Sequence, residues 1–374
     1  MPQLIVFVDA LPFDDLARMP RLAAWPWQAR LRPGFGYSIN LHPELFAGLD
    51  PDAAGFFGEW ALDRERAPGR RYRRLLPLLD RVCRPYVLNR GLQTLLTRRY
   101  RPDRIMPNLP LGWLGDFAIH GEKVTDPAFG RPTLFTRHPG LVTVEIEGLA
   151  KGRRDRLLVE RAAALVAGGT RQVYLPLPDL DGIGHADRRS GPRWGAHLVA
   201  LDAWVDGLAG AFLARHPDGD VFVVSDHGMA DVRAGVAFGI EADVGPPGWK
   251  RYHYFTDSTL LRVWVHDPDL GPAIADHIQR SEVASLVTHA ERMAYGLTDP
   301  RFGDFVAVLD EGLCFRPSTF ARNIPAAMHG YHPDVASQHA VLLHRGAHPP
   351  ATGAARTIDV FGILDAALAG EPGG

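Results

Sequence analysis

The sequence predicts an α/β fold: an open, mostly parallel sheet sandwiched by helices and interrupted by an Arg-rich helical insertion. Three observations predict it. Short, near-continuous apolar runs alternate with helix-period segments, the pattern of strands buried on both faces. Acidic and imidazole residues end several of those runs, where open α/β sheets place their ligands. Residues 61–140 break the alternation and are rich in arginine and proline.

The elements follow in chain order. LIVFVD (4–9) reads as the first strand, and Asp9 ends it. In PGFGYSINLHPELFAGLDPDAAG (33–55) a helical pattern opens at Ser38, directly after Gly36 and Tyr37. A hydroxyl there, beside the first helix amides, suits an attacking alkoxide and a bound phosphate. Capping the helix is its plainer role. LVTVEI (141–146), QVYLPL (172–177) and DVFVVSD (220–226) read as further parallel strands, with helices over 153–167 and 193–216 between them. Residues 259–265 and 338–345 read as additional strands, and TIDVFGILDAALAG as a closing helix. Residues 1–60 and 141–374 are thus expected to form the core, with 61–140 inserted into it.

Bulk properties narrow the function classes. At 374 residues the chain is long enough for a large core. A formal net charge of -2 points to no particular partner. Cys83 and Cys314 stand alone without a CxxC pair, which argues against a disulfide framework or a structural zinc knuckle. The opening apolar run, LIVFV, is short and ends in an acid, so the expectation is a strand rather than a signal peptide and a cytoplasmic protein. No apolar run reaches the ~20 residues of a membrane span. Residues 63–104 hold thirteen arginines against Asp63, Glu65, Asp80 and Asp103. A solvated helical surface is the plain reading of such a run. A lid that attracts an anionic substrate is the functional one. The stretch YVLNRGLQTLLTRRYRPDR also has the apolar and basic faces of a helix that lies on an anionic membrane or covers a lipid-linked substrate. No nucleic-acid motif accompanies it.

The residues that carry chemistry cluster after strands. Asp226 and His227 end one strand and precede a glycine. Asp181 and His185, four apart, follow another, in a loop whose Gly182 and Gly184 would let both side chains reach one ion. His329 sits among small residues in AAMHGYHPD (326–334). Three Asp and three His suit zinc, and also manganese. Six ligands are too many for one tetrahedral zinc but fit two ions ~3.5–4 Å apart.

This ordered set resembles the alkaline phosphatase superfamily, and within it the type I phosphodiesterase/nucleotide pyrophosphatase branch. Asp9 matches the strand-end Asp. Ser38 stands nine residues before AGLDP, the counterpart of a TGLYP-type motif. Asp181–His185 matches D-x-x-G-H, residues 225–229 match S-D-H-G-M without change, and 329–331 match H-G-Y. The resemblance covers residues 9 to 331. It implies an alkaline phosphatase-like core and two divalent ions, zinc foremost and manganese as the alternative. One ion would be held by Asp9, Asp226, His227 and the Ser38 oxygen, the other by Asp181, His185 and His329. It also implies hydrolysis of a small-molecule phosphoester through a covalent phospho-Ser38.

Two departures bear on the substrate. Where the branch places an Asn about twenty-one residues after the nucleophile, this chain has Glu59, followed by Trp60. A carboxylate there repels a phosphoryl oxygen unless it is protonated, metal-bound or turned away. The Cys/Ser-x-Pro-x-Arg motif of the related sulfatases is absent around Ser38. The motif order of the branch nonetheless implies a diester or pyrophosphate hydrolase. A phosphomonoesterase on the same ions is the alternative, and an inactive metal-bound binding protein a more remote one. Tyr37, His42, Glu59, Trp60 and Arg64 are candidates for contacting substrate, with His253 and Asp257 lining the cleft and Arg262 an ordinary strand residue.

Overall fold

A computed structural model describes residues 1–82, 86–97, 109–120, 123–126, 129–149, 152–319, 321, 323–351 and 353–370. Its main sheet has six strands, in the spatial order Trp27–Leu31, Ala340–Gly346, Asp220–Val224, Gln3–Val8, Gln172–Leu177 and Val142–Thr143. The last four are mutually parallel. Ala340–Gly346 runs antiparallel to both of its neighbours. The mostly parallel sheet expected from the apolar runs is therefore present, with two differences. The run 141–146 pairs only over Val142–Thr143, at the sheet edge. The strand Trp27–Leu31 escapes sequence reading because it is an edge strand of mixed exposure, with no continuous apolar run.

Pleating explains why the central strands are apolar throughout. Leu4, Val6 and Val8 join the core on one face, while Ile5 and Phe7 join the core on the other. The helices Arg154–Ala167 and Pro192–Arg215 cover the first face, and Ser38–Ala47 and Val360–Ala369 the second. Pro192–Arg215 is long and apolar enough to cross a bilayer, contrary to the sequence expectation that no such segment exists. Its Trp194, Leu198, Leu201, Val205, Leu208 and Phe212 are instead buried in the core of this face.

A second sheet is antiparallel: Tyr252–Thr256, Leu260–Val265, Phe305–Leu309 and Ala284–Leu286. The run 259–265 belongs here. One face packs Leu261, Val263, Ala307 and Leu309 against Ile274 and Ile278 of the helix Gly271–Arg280. The described part of the 61–140 region covers the other face. Trp60–Leu62 pairs with Phe117–Ile119, and Trp60, Leu76, Leu111, Leu114 and Phe117 pack on Phe255 and Trp264. Trp60 is fully buried in this cluster, so it cannot stack on a substrate as the sequence reading allowed.

Arg262 is not an ordinary strand residue either. It is 1% exposed and its Nη1 donates to the carbonyls of Phe57 (2.6 Å) and Trp60 (2.7 Å). Its Nη2 donates to Asp257 at 3.3 Å, and the guanidinium lies over the rings of Phe57, Phe255 and Trp264. One buried cation thus fixes both ends of the segment that carries Glu59. Cys314 is buried, and Cys83 lies outside the described residues.

Candidate active site at the strand ends

Ser38 and the six Asp and His residues expected to hold metal converge beyond the carboxyl ends of the three central parallel strands. Asp9 directly follows Val8, and Asp226 and His227 follow Val224 closely. Ala10, at φ 64°, makes a tight left-handed turn after Asp9 that aims its amide at Asp226 Oδ1 (3.3 Å). The strand Gln172–Leu177 leads into a helix, Asp179–Asp187, which carries Asp181 and His185. The expected glycine loop is thus a helical turn, and the i, i+4 spacing itself puts the two side chains on one face. Gly184 is required by packing: a Cβ there would lie 2.8 Å from Trp194 and 3.0 Å from Met229.

His329 arrives from the far end of the chain. The segment Ala327–Met328 pairs with Ala230–Asp231, just past His227. Gln338 Oε1 accepts from the Gly330 (2.9 Å) and Tyr331 (3.3 Å) amides, and Thr259 Oγ1 donates to the Gly330 carbonyl at 2.8 Å. Gly330 has φ 82°, and a Cβ there would meet Tyr37 at 2.7 Å. Neither Gln338 nor Thr259 carries a sequence signal, since each acts on a loop that is distant or unpatterned in the chain.

Ser38 opens the helix Ser38–Ala47, with Tyr37 as its N-cap residue. Its Oγ is 3.0 Å from His227 Nε2. His227 Nδ1 is 2.9 Å from the Gly228 carbonyl, which can only accept, so Nδ1 bears the proton and the Nε2 lone pair faces Ser38. By the same argument the Ala327 carbonyl, 2.9 Å from His185 Nδ1, turns His185 Nε2 toward Asp181 Oδ1 at 3.2 Å. His329 Nε2 is 3.6 Å from that same oxygen. The His227 and His329 rings stack face to face, 3.7 Å apart and 9° from parallel.

This arrangement fits divalent cations. Ligand atoms of Asp9, Asp226 and His227 lie within 4.8 Å of one another, as do those of Asp181, His227 and His329. Asp9 Oδ1, Asp181 Oδ1 and Asp226 Oδ2 are buried with no hydrogen-bond donor among the described residues. Lone pairs aimed at lone pairs in a buried site call for positive charge between them. Burial, then the Asp226 and Asp181 carboxylates, push the Asp9 carboxyl well above its ordinary value. Burial opposes charge on Asp226 too, but His227 and His42 override it and draw it down to about 2. Burial and the neighbouring His227 and His185 hold His329 well below the ordinary imidazole value, hence neutral and able to ligate. Burial also disfavours charge on His185, yet Asp181 outweighs it and raises that imidazole.

The remaining candidates divide. A cavity of about 780 Å³ adjoins the site and is lined by Asp9, Ile39, His42, Glu59, Lys123 and Tyr174, among others. His42 and Glu59 thus line this cavity, and His42 Nε2 lies 3.5 Å from Asp226 Oδ2. No arginine is among the described residues that line this cavity. Arg64 instead pairs with Asp116 at 3.2 Å, beside a separate hollow with His266 and Arg301. His253 is buried against His266 at 2.7 Å rather than in the wall of the cavity beside Ser38. Burial, then His266, lowers its ring to about 3. Asp257 is the buried partner of Arg262. Tyr37 bonds Thr259 through its hydroxyl at 3.0 Å and meets His329 edge-on, so it walls the site.

The sequence profile of the type I phosphodiesterase/nucleotide pyrophosphatase family matches residues 116–332, more than half of the chain. The chain belongs to this family. It is therefore a hydrolase of phosphoester or pyrophosphate bonds. The matched span holds Asp181, His185, Asp226, His227 and His329, while Asp9 and Ser38 precede it. Among solved structures, the fold is similar to murine ectonucleotide pyrophosphatase/phosphodiesterase 5, in an inactive form in complex with AMP. That likeness has a TM-score of 0.63 at 16% identity, over 99% of this chain and 95% of that one. The human counterpart gives 0.62 at 14% identity, with the same coverage. No curated protein matches the chain.

Proposed function

We propose that this phosphodiesterase-family hydrolase uses two divalent ions and a covalent phospho-Ser38 to cleave a phosphodiester or pyrophosphate. The observation that carries the reading is the convergence on Ser38 of three buried, donor-free carboxylate oxygens and three imidazoles. Asp9, Asp226, His227 and the Ser38 oxygen would hold one ion; Asp181, His185 and His329 the other. Mixed N/O donors suit zinc, with manganese as the alternative. Bound there, such ions supply an acidified hydroxyl and the positive charge that phosphoryl transfer demands.

The chain's own residues do the positioning. Ser38 Oγ is held beside His227 Nε2 at the start of a ten-residue helix. The first helix amides and the helix dipole favour a phosphoryl group at that end. Attack of Oγ forms the Oγ–P bond as the bond from phosphorus to the leaving oxygen breaks. Water then attacks phosphorus from the opposite side, restoring Ser38 and releasing the second product. A loose phosphoryl transition state needs little more than this alignment and charge.

The adjoining cavity favours a diester over a monoester, because a monoester has only one organic group and no second substituent to fill it. Glu59 stands in its wall with Asp126, Glu145 and Glu147, against Lys123. Of the two substrates proposed, that balance favours a diester with an uncharged or cationic substituent in this cavity over a pyrophosphate. An inactive binding protein would lack a ligand or the nucleophile, and all seven positions are filled. The test compares hydrolysis of bis-p-nitrophenyl phosphate, p-nitrophenyl thymidine 5′-phosphate and p-nitrophenyl phosphate by the wild type and Ser38→Ala. The diesters should be preferred, and Ser38→Ala should lose at least about 10³-fold in turnover while keeping its ions. Preference for the monoester would overturn the diester reading, and an active Ser38→Ala the nucleophile.

A further inference from the structure

We propose that the outer layer of the arginine-rich region, over the described residues 70–82 and 86–97, is a docking surface for an anionic lipid bilayer. Two short helical stretches make this layer, and both lie on the turn Leu111–Gly115. Leu76 and Leu79 of one, and Leu92 and Leu96 of the other, face the core beneath. That leaves a second set of apolar side chains pointing out. Tyr72, Leu75 and Leu78 are exposed, as are Val87 (76%), Leu88 (55%) and Leu95 (56%). Of the eleven large apolar residues exposed among the described residues, these are six. Trp249 is a seventh, also exposed, and it joins the same layer through the Arg73 guanidinium, 5.8 Å from its ring centroid.

The layer is net positive, although Arg73 pairs with Asp116 at 2.8 Å and Arg66 lies 3.9 Å from Asp63. Residues 66–79 contain five arginines and no acid, and Tyr86–Thr97 contains Arg90 and no acid. Lys250 lies 5.4 Å from the Trp249 ring. Arg71 and Arg74 are exposed beside the outward apolar residues.

The occupant has to meet both properties at once. A second copy of this chain would pair like with like, because a two-fold interface sets the same patch against itself and places arginine against arginine. A nucleic acid would satisfy the arginines but leave the leucine and valine row in water. An anionic bilayer offers phosphate headgroups to the arginines and an apolar layer just beneath them, the pairing that in-plane amphipathic helices use. None of these residues lines the cavity beside Ser38, so docking leaves the site open to substrate.

The experiment is sedimentation of the full chain with vesicles of phosphatidylcholine alone, and of phosphatidylcholine with phosphatidylglycerol. Binding is expected only to the anionic vesicles, and is expected to weaken as salt shortens the reach of the charges. It should fall by about tenfold or more in Leu88→Glu/Leu95→Glu and in Arg71→Glu/Arg74→Glu. Both variants should hydrolyse a soluble diester at the wild-type rate. If a double variant misfolds by circular dichroism, Leu95→Glu alone carries the same test. The proposal is overturned by any of three results: no sedimentation with anionic vesicles, equal binding to neutral ones, or equal binding by the variants. A dimer in light scattering that Leu88→Glu/Leu95→Glu dissociates, without vesicle binding, would also overturn it in favour of self-association.

Discussion

Replacing Arg262 by Met tests how the loop bearing Glu59 is fixed. The substitution keeps most of the volume among Phe57, Phe255 and Trp264 but deletes the charge. Two charge-assisted donations, to the carbonyls of Phe57 and Trp60, are lost. The buried Asp257 is left without its cation. Breaking one side of a buried pair costs about 3–5 kcal/mol, and the lost donations are part of that figure rather than an addition to it. For a chain of this size, the melting temperature should fall by about 4–6 °C. The loss should also depend on pH. Burial already raises the Asp257 carboxyl, and Arg262 opposes that rise. Without Arg262 the folded-state value climbs further, so the folded state binds a proton that the unfolded state releases. Stability of the variant should then fall as pH rises from the ordinary carboxylate range towards the new value. Thermal melts at acid and alkaline pH measure this, and Arg262→Met/Asp257→Asn should recover part of the loss. A shift under about 2 °C, or a double variant no better than the single, would refute the argument.

Three further outcomes are expected. Gly330→Ala forces a Cβ into Tyr37 and Thr259 at a left-handed backbone, so His329 must move; turnover should drop by about 10²-fold with the fold retained, and near-normal kinetics would show that the loop can adjust. Glu44 is buried, and burial raises it to about 7 against the hydrogen bond from Thr357. Its folded-state pKa lies above the unfolded value, so its contribution is greatest in acid and is lost as pH rises through about 7. Glu44→Gln should therefore flatten the stability profile between pH 5 and 8 and stabilise the alkaline side by roughly 3 kcal/mol, as read from denaturant titrations. Removing divalent ions with a chelator should abolish hydrolysis and lower the melting temperature, because the buried carboxylates then repel one another. Zinc or manganese at about 100 times its dissociation constant should restore about 2.7 kcal/mol, and an unchanged melting curve would count against the two-ion reading.

Much of the site could be read from the chain because it is built on local signals. Apolar runs ending in Asp9 and in Asp226-His227 mark both a buried strand and the rim where it stops. Ser38 was visible as the first residue of a helical pattern. What escaped notice depends on contacts between distant segments. The edge strand Trp27–Leu31 is defined by a partner far away in sequence. Trp60, Arg64 and His253 looked available to substrate because nothing local reveals that Trp60 lies under the second sheet, Arg64 against Asp116, or His253 against His266. Asp181 and His185 lie on one face of a helix, where two glycines in the sequence suggest a loop. Here close packing against Trp194, which the local pattern does not show, accounts for Gly184.

The stacked rings of His227 and His329 have a consequence for genetics as much as for chemistry. They touch face to face although they are assigned to different ions. Truncating either ring removes the surface on which the other rests, so each single variant damages both halves of the pair. Losses from His227→Ala and His329→Ala should then fail to add, the double variant being scarcely worse than either single one. Evolution faces the same coupling. Changing the preference for one ion means carrying its neighbour along.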